Sequence, residues 1–247
     1  MVPYIEIPPV TLTSGLVLQP FGLLVLMGCV VGILASMWYA KSRDLNTRVL
    51  IGALPWALIP GFALSHLAAI YLYFPEKGPL DIRELLDLAN GMSSFGGFLG
   101  GAVGTMLYLR KVQSPALPYV DALVFGFTFG WFFGRLGCTI AHDHPGLPGE
   151  FFLTVAYPDG ARHDLGFYEW LFTVALCGLL LTLRRRQIPP GALTGLICSL
   201  YAPARFLLDF LRIDDRLYFG LTPGQYLAFP LLIVGLLLLR GSGRRHQ

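Results

Sequence analysis

Long apolar runs separated by short polar segments dominate the chain. A helix needs about 20 apolar residues to cross the hydrocarbon of a bilayer. Seven such runs occur, at roughly 16–40, 50–74, 91–109, 117–140, 165–183, 191–211 and 223–240. Backbone polar groups must be satisfied within each segment in lipid, so these runs predict helices rather than strands. The expected fold is an all-α integral membrane protein with seven transmembrane helices, forming a single membrane domain over 1–247.

Two polar segments have their own character. Residues 79–89 place Ile82, Leu85, Leu86 and Ala89 on one helical face. That reads either as a helix lying on the membrane surface or as an ordinary amphipathic loop helix. Residues 141–164 are polar, turn-rich and hold three of the five histidines.

Composition agrees with a lipid environment. Of 247 residues, 55% are hydrophobic and only 13% charged, where a soluble domain carries about 25%. The mean hydropathy is +0.62. The first run begins near Leu16, is too long for a signal-peptide core and has no basic segment before it, so it is expected to stay in the mature protein. Cys29, Cys138, Cys177 and Cys198 show no ligand spacing and read as small core residues.

The basic residues set an orientation. Lys41, Arg43, Arg48, Arg110, Lys111, Arg184, Arg185, Arg186, Arg240, Arg244 and Arg245 all follow odd-numbered spans, and they are eleven of the 18. The opposite loops, 75–90, 141–164 and 212–222, carry only Lys77, Arg83, Arg162 and Arg216 besides Arg212 at the end of the sixth span. The positive-inside rule puts the first set in the cytoplasm, with the N-terminus periplasmic and the C-terminus cytoplasmic.

Ionisable groups inside spans are costly and mark function. Arg135 lies about five residues from the outer end of the fourth span, roughly 7–8 Å deep at 1.5 Å per residue. Arg205, Asp209 and Arg212 share one face of the sixth. These arginines either snorkel to head groups and pair locally, or form an anion site, for which the guanidinium fork is well shaped. At that depth the anion would be a phospholipid phosphate. Glu169, at the start of the fifth span, reads as a helix-dipole partner. Asp121 does no more than open the fourth span. His142 and His144 flank Asp143; the pair supplies two metal ligands with no third evident, so no metal is expected. Either histidine beside the arginines could act as a general base, or both are solvated loop residues. The glycines of the third span read as helix packing, or as close approach to a lipid.

With these residues in hand, the chain resembles the bacterial prolipoprotein diacylglyceryl transferases. Gly91-Met92-Ser93 with Gly96-Gly97, Gly134-Arg135-Leu136-Gly137 with Gly146, Tyr168-Glu169, Arg205-Phe206 with Asp209-Phe210 and Arg212, and Gly224-Gln225 are similar to the family's motifs in order. The resemblance implies transfer of a diacylglyceryl group from phosphatidylglycerol to the lipobox cysteine of a preprolipoprotein, at the periplasmic side of the inner membrane, releasing glycerol phosphate. It implies Arg135 and Arg205 as the phosphate grip, with His142, Asp143 and His144 on the catalytic side. Gly96, Gly97, Gly137, Cys138, Gly146, Tyr168, Glu169, Asp209 and Arg212 would line the substrate. No cofactor, no nucleic acid and a monomer are expected. The pattern departs at four positions. The motif histidine falls on Phe95, the signature Asn on Cys138, the signature Glu on Asp143 and a tyrosine of the first span on Phe21. His142 or His144 could replace the lost histidine. A related transferase with another acceptor, or a non-catalytic lipid-binding protein of the same fold, are the alternatives.

Overall fold

A computed structural model describes residues 1–11, 17–73, 92–213 and 217–243. Within them the chain is predominantly helical. α1 (Pro20–Lys41) and α2 (Thr47–Ala68, ending in a π turn, Ala69–Tyr73) are followed by α3 (Ser94–Lys111), α4 (Ala116–Ala141) and α5 (Leu165–Leu183). α6 (Ala192–Leu208, ending in a 3-10 turn, Asp209–Leu211) and α7 (Pro223–Gly243) complete the series.

Six helices among the described residues are long and apolar enough to cross a membrane: α1, α2 with its extension to Leu72, α4, α5, α6 with its extension to Leu211, and α7. This is a multi-pass membrane protein. α3, the remaining predicted span, has 18 residues and is diluted by Gly96, Gly97, Gly100, Gly101 and Gly104. The first span starts later than the apolar pattern predicts, at Pro20. Proline is suited to the first helical position and disfavours helix in the residue before it. The amphipathic segment 79–89, with Lys77, Arg83, Gly91, Arg216, Arg244 and Arg245, lies outside the described residues.

Helices pair as α1 on α4, α2 on α3, α6 on α7 and α5 on α4. Backbones meet closely where glycine removes the side chain. A Cβ on Gly104 of α3 would stand 1.7 Å from the Trp56 carbonyl oxygen of α2. One on Gly126 of α4 would stand 2.2 Å from that of Gly32 in α1. The apolar side chains Leu26, Ile59, Phe62, Leu207 and Leu237 are exposed, while Thr128, Glu169, Thr173, Arg205, Asp209 and Gln225 are buried. Lipid solvates the outside, and polar groups gather where they can satisfy one another.

At the basic end of the bundle, Tyr39 stacks on Phe125 at 4.6 Å, over a core with Leu50, Leu109, Leu180 and Leu193. Arg43 donates to the Arg186 carbonyl oxygen at 2.7 Å, and Arg184 lies over the Trp38 ring, so the basic loops gather together. Asp121 does more than open α4. It is buried and accepts from the Gly191 and Thr194 backbone N–H groups at 2.7 and 2.9 Å and from the Thr194 hydroxyl. It therefore caps α6 from a neighbouring helix.

The other end carries a small sheet where the sequence suggests only loop. β1 (Val2–Pro3), β4 (Pro145–Pro148), β5 (Val155–Tyr157) and β6 (Gly160–Asp164) lie in the order β1-β5-β6-β4. β5 and β6 form an antiparallel hairpin in which Tyr157 pairs with Gly160, whose φ is +129°. β1 lies parallel to β5. A separate two-stranded ladder joins β2 (Val10–Thr11) and β3 (Val17–Leu18).

Candidate active site

Just inside the sheet-bearing end, α4, α5 and α6 deliver charged side chains to one buried network. Glu169 of α5 is 1% exposed and stands between two arginines. Its Oε2 lies 2.7 Å from Arg135 Nη2 of α4, and its Oε1 lies 2.8 Å from Arg205 Nη1 of α6. Arg205 Nη2 continues to Asp209 Oδ1 at 3.0 Å, and the same oxygen lies 3.1 Å from Arg212 Nε. The helix-dipole reading of Glu169 therefore gives way to a central role. Neither Arg135 nor Arg205 snorkels, since both are buried and turned inward. Charges taken out of water must be paired, and here, among the described residues, three guanidiniums meet two carboxylates.

The end of α6 and the start of α7 hold Asp209 in place. Asp209 Oδ2 accepts from the Thr222 hydroxyl at 2.6 Å. Gln225 accepts from the Thr222 N–H at 2.9 Å and donates to the Phe206 carbonyl at 3.2 Å. Gly224 allows the approach, because a Cβ there would stand 2.2 Å from Asp209 Oδ2. Arg212 follows the 3-10 turn in extended backbone and makes an isolated bridge with Gly146. Gly146 lies tight between two chains, with a Cβ position 2.7 Å from the Leu211 carbonyl oxygen and 2.9 Å from that of His163.

Among the buried donors in this region, Arg135 Nε and the Tyr201 hydroxyl have no hydrogen-bond partner among the described residues. Tyr201 lies one helical turn before Arg205. An unpaired buried donor is costly, and such groups collect where a ligand supplies the acceptor.

The fold separates the two candidate histidines. His142 closes α4 in the left-handed region, with φ +49°. Its Nδ1 donates to Asp164 Oδ2 at 2.7 Å and its ring stacks on Tyr4 at 4.0 Å. Tyr157 donates to the same Asp164 oxygen at 2.9 Å. Burial and the Asp164 charge keep that phenol protonated well above its ordinary range. His142 thus ties the first strand and the hairpin to α4. His144 turns the other way. Burial, and then the nearby charges of Arg135 and Arg212, hold its pKa below the usual imidazole value against the opposing pull of Asp143, so it is neutral at physiological pH.

The third metal donor, absent from the local spacing, is supplied by the fold. Cys138, Asp143 and His144 each offer a ligand atom, and these lie within 4.8 Å of one another. The left-handed turn at His142 folds Asp143-His144 back over the last turn of α4, where the Cys138 thiol points. Arg135 Nη1 is 3.8 Å from Cys138 Sγ.

The remaining candidate residues divide. A Cβ on Gly96 would meet the Leu64 carbonyl oxygen at 2.3 Å, so this glycine serves the α2–α3 contact, while one on Gly97 would meet nothing nearer than 3.8 Å. Gly137 accommodates Phe21, with its Cβ position 2.9 Å from the ring. Tyr168 shares a hydrogen bond with His163 at 2.8 Å, beneath the sheet.

Residues 9–240 match the prolipoprotein diacylglyceryl transferase family. A phosphatidylglycerol–prolipoprotein diacylglyceryl transferase of Nitratidesulfovibrio vulgaris is 32% identical over 98% of this chain and 97% of its own length. Its namesake from Methylocella silvestris is 30% identical over 100% of this chain and 97% of its own, and that of Wolbachia pipientis from Culex pipiens is 28% identical over 86% and 88%. The chain belongs to this family.

Within the prolipoprotein diacylglyceryl transferase frame, the departures cluster around the arginines. Phe95 is buried and packs edge-on against Phe98, which meets Tyr201 in the same way. An apolar aromatic wall thus stands where the resemblance places a histidine. Cys138 and Asp143 occupy two further positions, and both are metal-type donors. Tyr201 and Thr222 go unnoticed in the sequence, and Gln225 is seen there only as part of a motif. Tyr201 sits one turn from Arg205 in an apolar span, and that spacing is the signal available.

Proposed function

We propose that this chain transfers a diacylglyceryl group from phosphatidylglycerol to the lipobox cysteine of a preprolipoprotein, at the periplasmic face of a bacterial inner membrane. The observation that carries the reading is the buried Arg135–Glu169–Arg205–Asp209–Arg212 network, in which carboxylates hold three guanidinium forks, the groups shaped to grip a phosphodiester, at one place in the bundle. In this orientation α3 is the seventh span, the N-terminus is outside and the basic loops are cytoplasmic. The chain is one membrane domain and works as a monomer.

The reaction forms a bond between the acceptor sulfur and the glycerol carbon that carries the phosphate. The bond from that carbon to the phosphate oxygen breaks, and its electron pair leaves with glycerol phosphate. A second negative charge develops on the phosphate as the bond opens. Arg135, Arg205 and Arg212 lie where fixed positive charge stabilises it, which is differential binding of the transition state. Arg135 Nε and the Tyr201 hydroxyl are the donors open to phosphate or glycerol oxygens. Glu169 and Asp209 orient the guanidiniums. The acceptor thiol attacks as the thiolate. Of the two histidines, His144 faces the charges of Arg135 and Arg212, whereas His142 is engaged by Asp164.

The test is lipidation of a lipobox peptide by the purified protein in phosphatidylglycerol, read by mass spectrometry. A diacylglyceryl mass gain on the peptide cysteine, lost in Arg135→Ala, is expected. Lipid consumed without that gain would mean another acceptor. No consumption would mean a lipid-binding protein of this fold.

A further inference from the structure

Cys138, Asp143 and His144 bring a thiol, a carboxylate and an imidazole within 4.8 Å of one another. Such mixed sulfur, nitrogen and oxygen sets suit zinc, which is borderline soft and accepts all three. Catalytic zinc sites use three protein ligands and keep a fourth position open. Cys138 is buried, while His144 and Asp143 are partly exposed, with side chains 30% and 40% accessible, so the cluster opens from the protein outward. A tetrahedral ion with bonds of about 2.0–2.3 Å needs donors somewhat closer together than this spread, a shift well within loop adjustment.

We propose that Cys138, Asp143 and His144 hold a zinc ion whose fourth position takes the acceptor cysteine as its thiolate. The role assigned to the ion rests on the transferase reading above. A thiol that coordinates zinc loses its proton outright, so the nucleophile is generated without a separate base. The proton goes to solvent. The sulfur then donates an electron pair to the glycerol carbon, the carbon–oxygen bond breaks, and the pair leaves on the phosphate. Nothing is oxidised or reduced.

Charge is consistent with this assembly. Zinc balances the Cys138 thiolate and the Asp143 carboxylate. Binding a second thiolate makes the centre negative, and Arg135, 3.8 Å from Cys138 Sγ, stands ready to offset it. The cluster therefore places acceptor and phosphate grip side by side, on one face of α4.

The test uses the whole purified chain in detergent, stripped of metal and titrated with Co²⁺ as the spectroscopic probe for zinc. A single equivalent should bind and give a near-ultraviolet thiolate-to-cobalt band. The band should vanish in Cys138→Asn, which restores the residue of the family signature and so protects the fold, and in His144→Ala on the partly exposed loop. It should persist in Cys29→Ser. Adding a lipobox cysteine peptide without lipid should strengthen the band, and the serine peptide should not. No thiolate band, or a band retained in Cys138→Asn, would overturn the site whatever the lipidation assay shows. A band unaffected by the cysteine peptide, or full lipid transfer by metal-stripped protein, would overturn the role given to the ion while leaving the transferase reading intact.

Discussion

Arg135 and Arg205 are joined through one carboxylate, each bound to a different oxygen of Glu169, at 2.7 and 2.8 Å. The arrangement fixes two planar forks from two helices relative to each other before any substrate arrives. Preorganised charge of this kind costs no rearrangement at the moment of reaction.

Replacing either arginine by lysine keeps the charge and loses the fork. Arg135→Lys and Arg205→Lys should each lower the lipidation rate constant by about 100-fold or more, the scale seen when one preorganised donor is removed. Saturation kinetics on the lipobox peptide measure this. Full activity in both variants would end the assignment of the phosphate grip.

Glu169→Gln removes the charge that lies between the two guanidiniums. Leaving buried charge without its partner costs about 3–5 kcal/mol. The variant should unfold at markedly lower temperature in lipid nanodiscs, and activity should fall with it. Unchanged thermal stability would mean that solvent or lipid, rather than Glu169, neutralises the arginines.

Gly224→Ala puts a methyl group where Asp209 Oδ2 now stands, 2.2 Å from the added carbon. The carboxylate must move away from Arg205, Arg212 and Thr222. Overpacking of this kind costs about 1–3 kcal/mol, and here it also dislodges an arginine. Activity should drop further than stability does, which parallel melting curves and lipidation rates would separate.

Asp121→Ala acts at the opposite end of the molecule. It removes the acceptor for two backbone N–H groups and a hydroxyl at the start of α6. A loss of about 1–2 kcal/mol is expected, as for a helix cap. The rate per folded molecule should stay the same, so a specific activity normalised to folded protein that falls tenfold would contradict a purely structural role.

The spans were legible in the sequence because lipid imposes a length of apolar chain that loops do not imitate. Arg135 and Arg205 stood out because a charge inside such a run demands an explanation. Glu169 obeys the same rule, but four residues into a span it also fits a helix-dipole role, and nothing local tells which helices it faces. The Cys138–Asp143–His144 cluster depends on a left-handed turn at His142, a conformation that non-glycine residues seldom adopt. The separation of His142 from His144 depends on Asp164 and Tyr4, neither of which adjoins them in sequence. The hairpin did leave a mark, Asp159-Gly160 between short β-type runs. β1 is only two residues long and pairs with a segment reached after four helices, which no periodicity reveals.

That pairing of β1 with β5 sets a timetable. Val2 must wait beside the membrane while α1 to α4 are synthesised and inserted, and its partner Val155 arrives only afterwards. Non-local strand pairing carries a closure cost that local contacts avoid. The hydrophobic bundle can assemble early, but the sheet whose Gly146 bridges to Arg212 is completed late. A ribosome stalled before residue 155 would thus leave a membrane-embedded protein with an open, unfinished mouth.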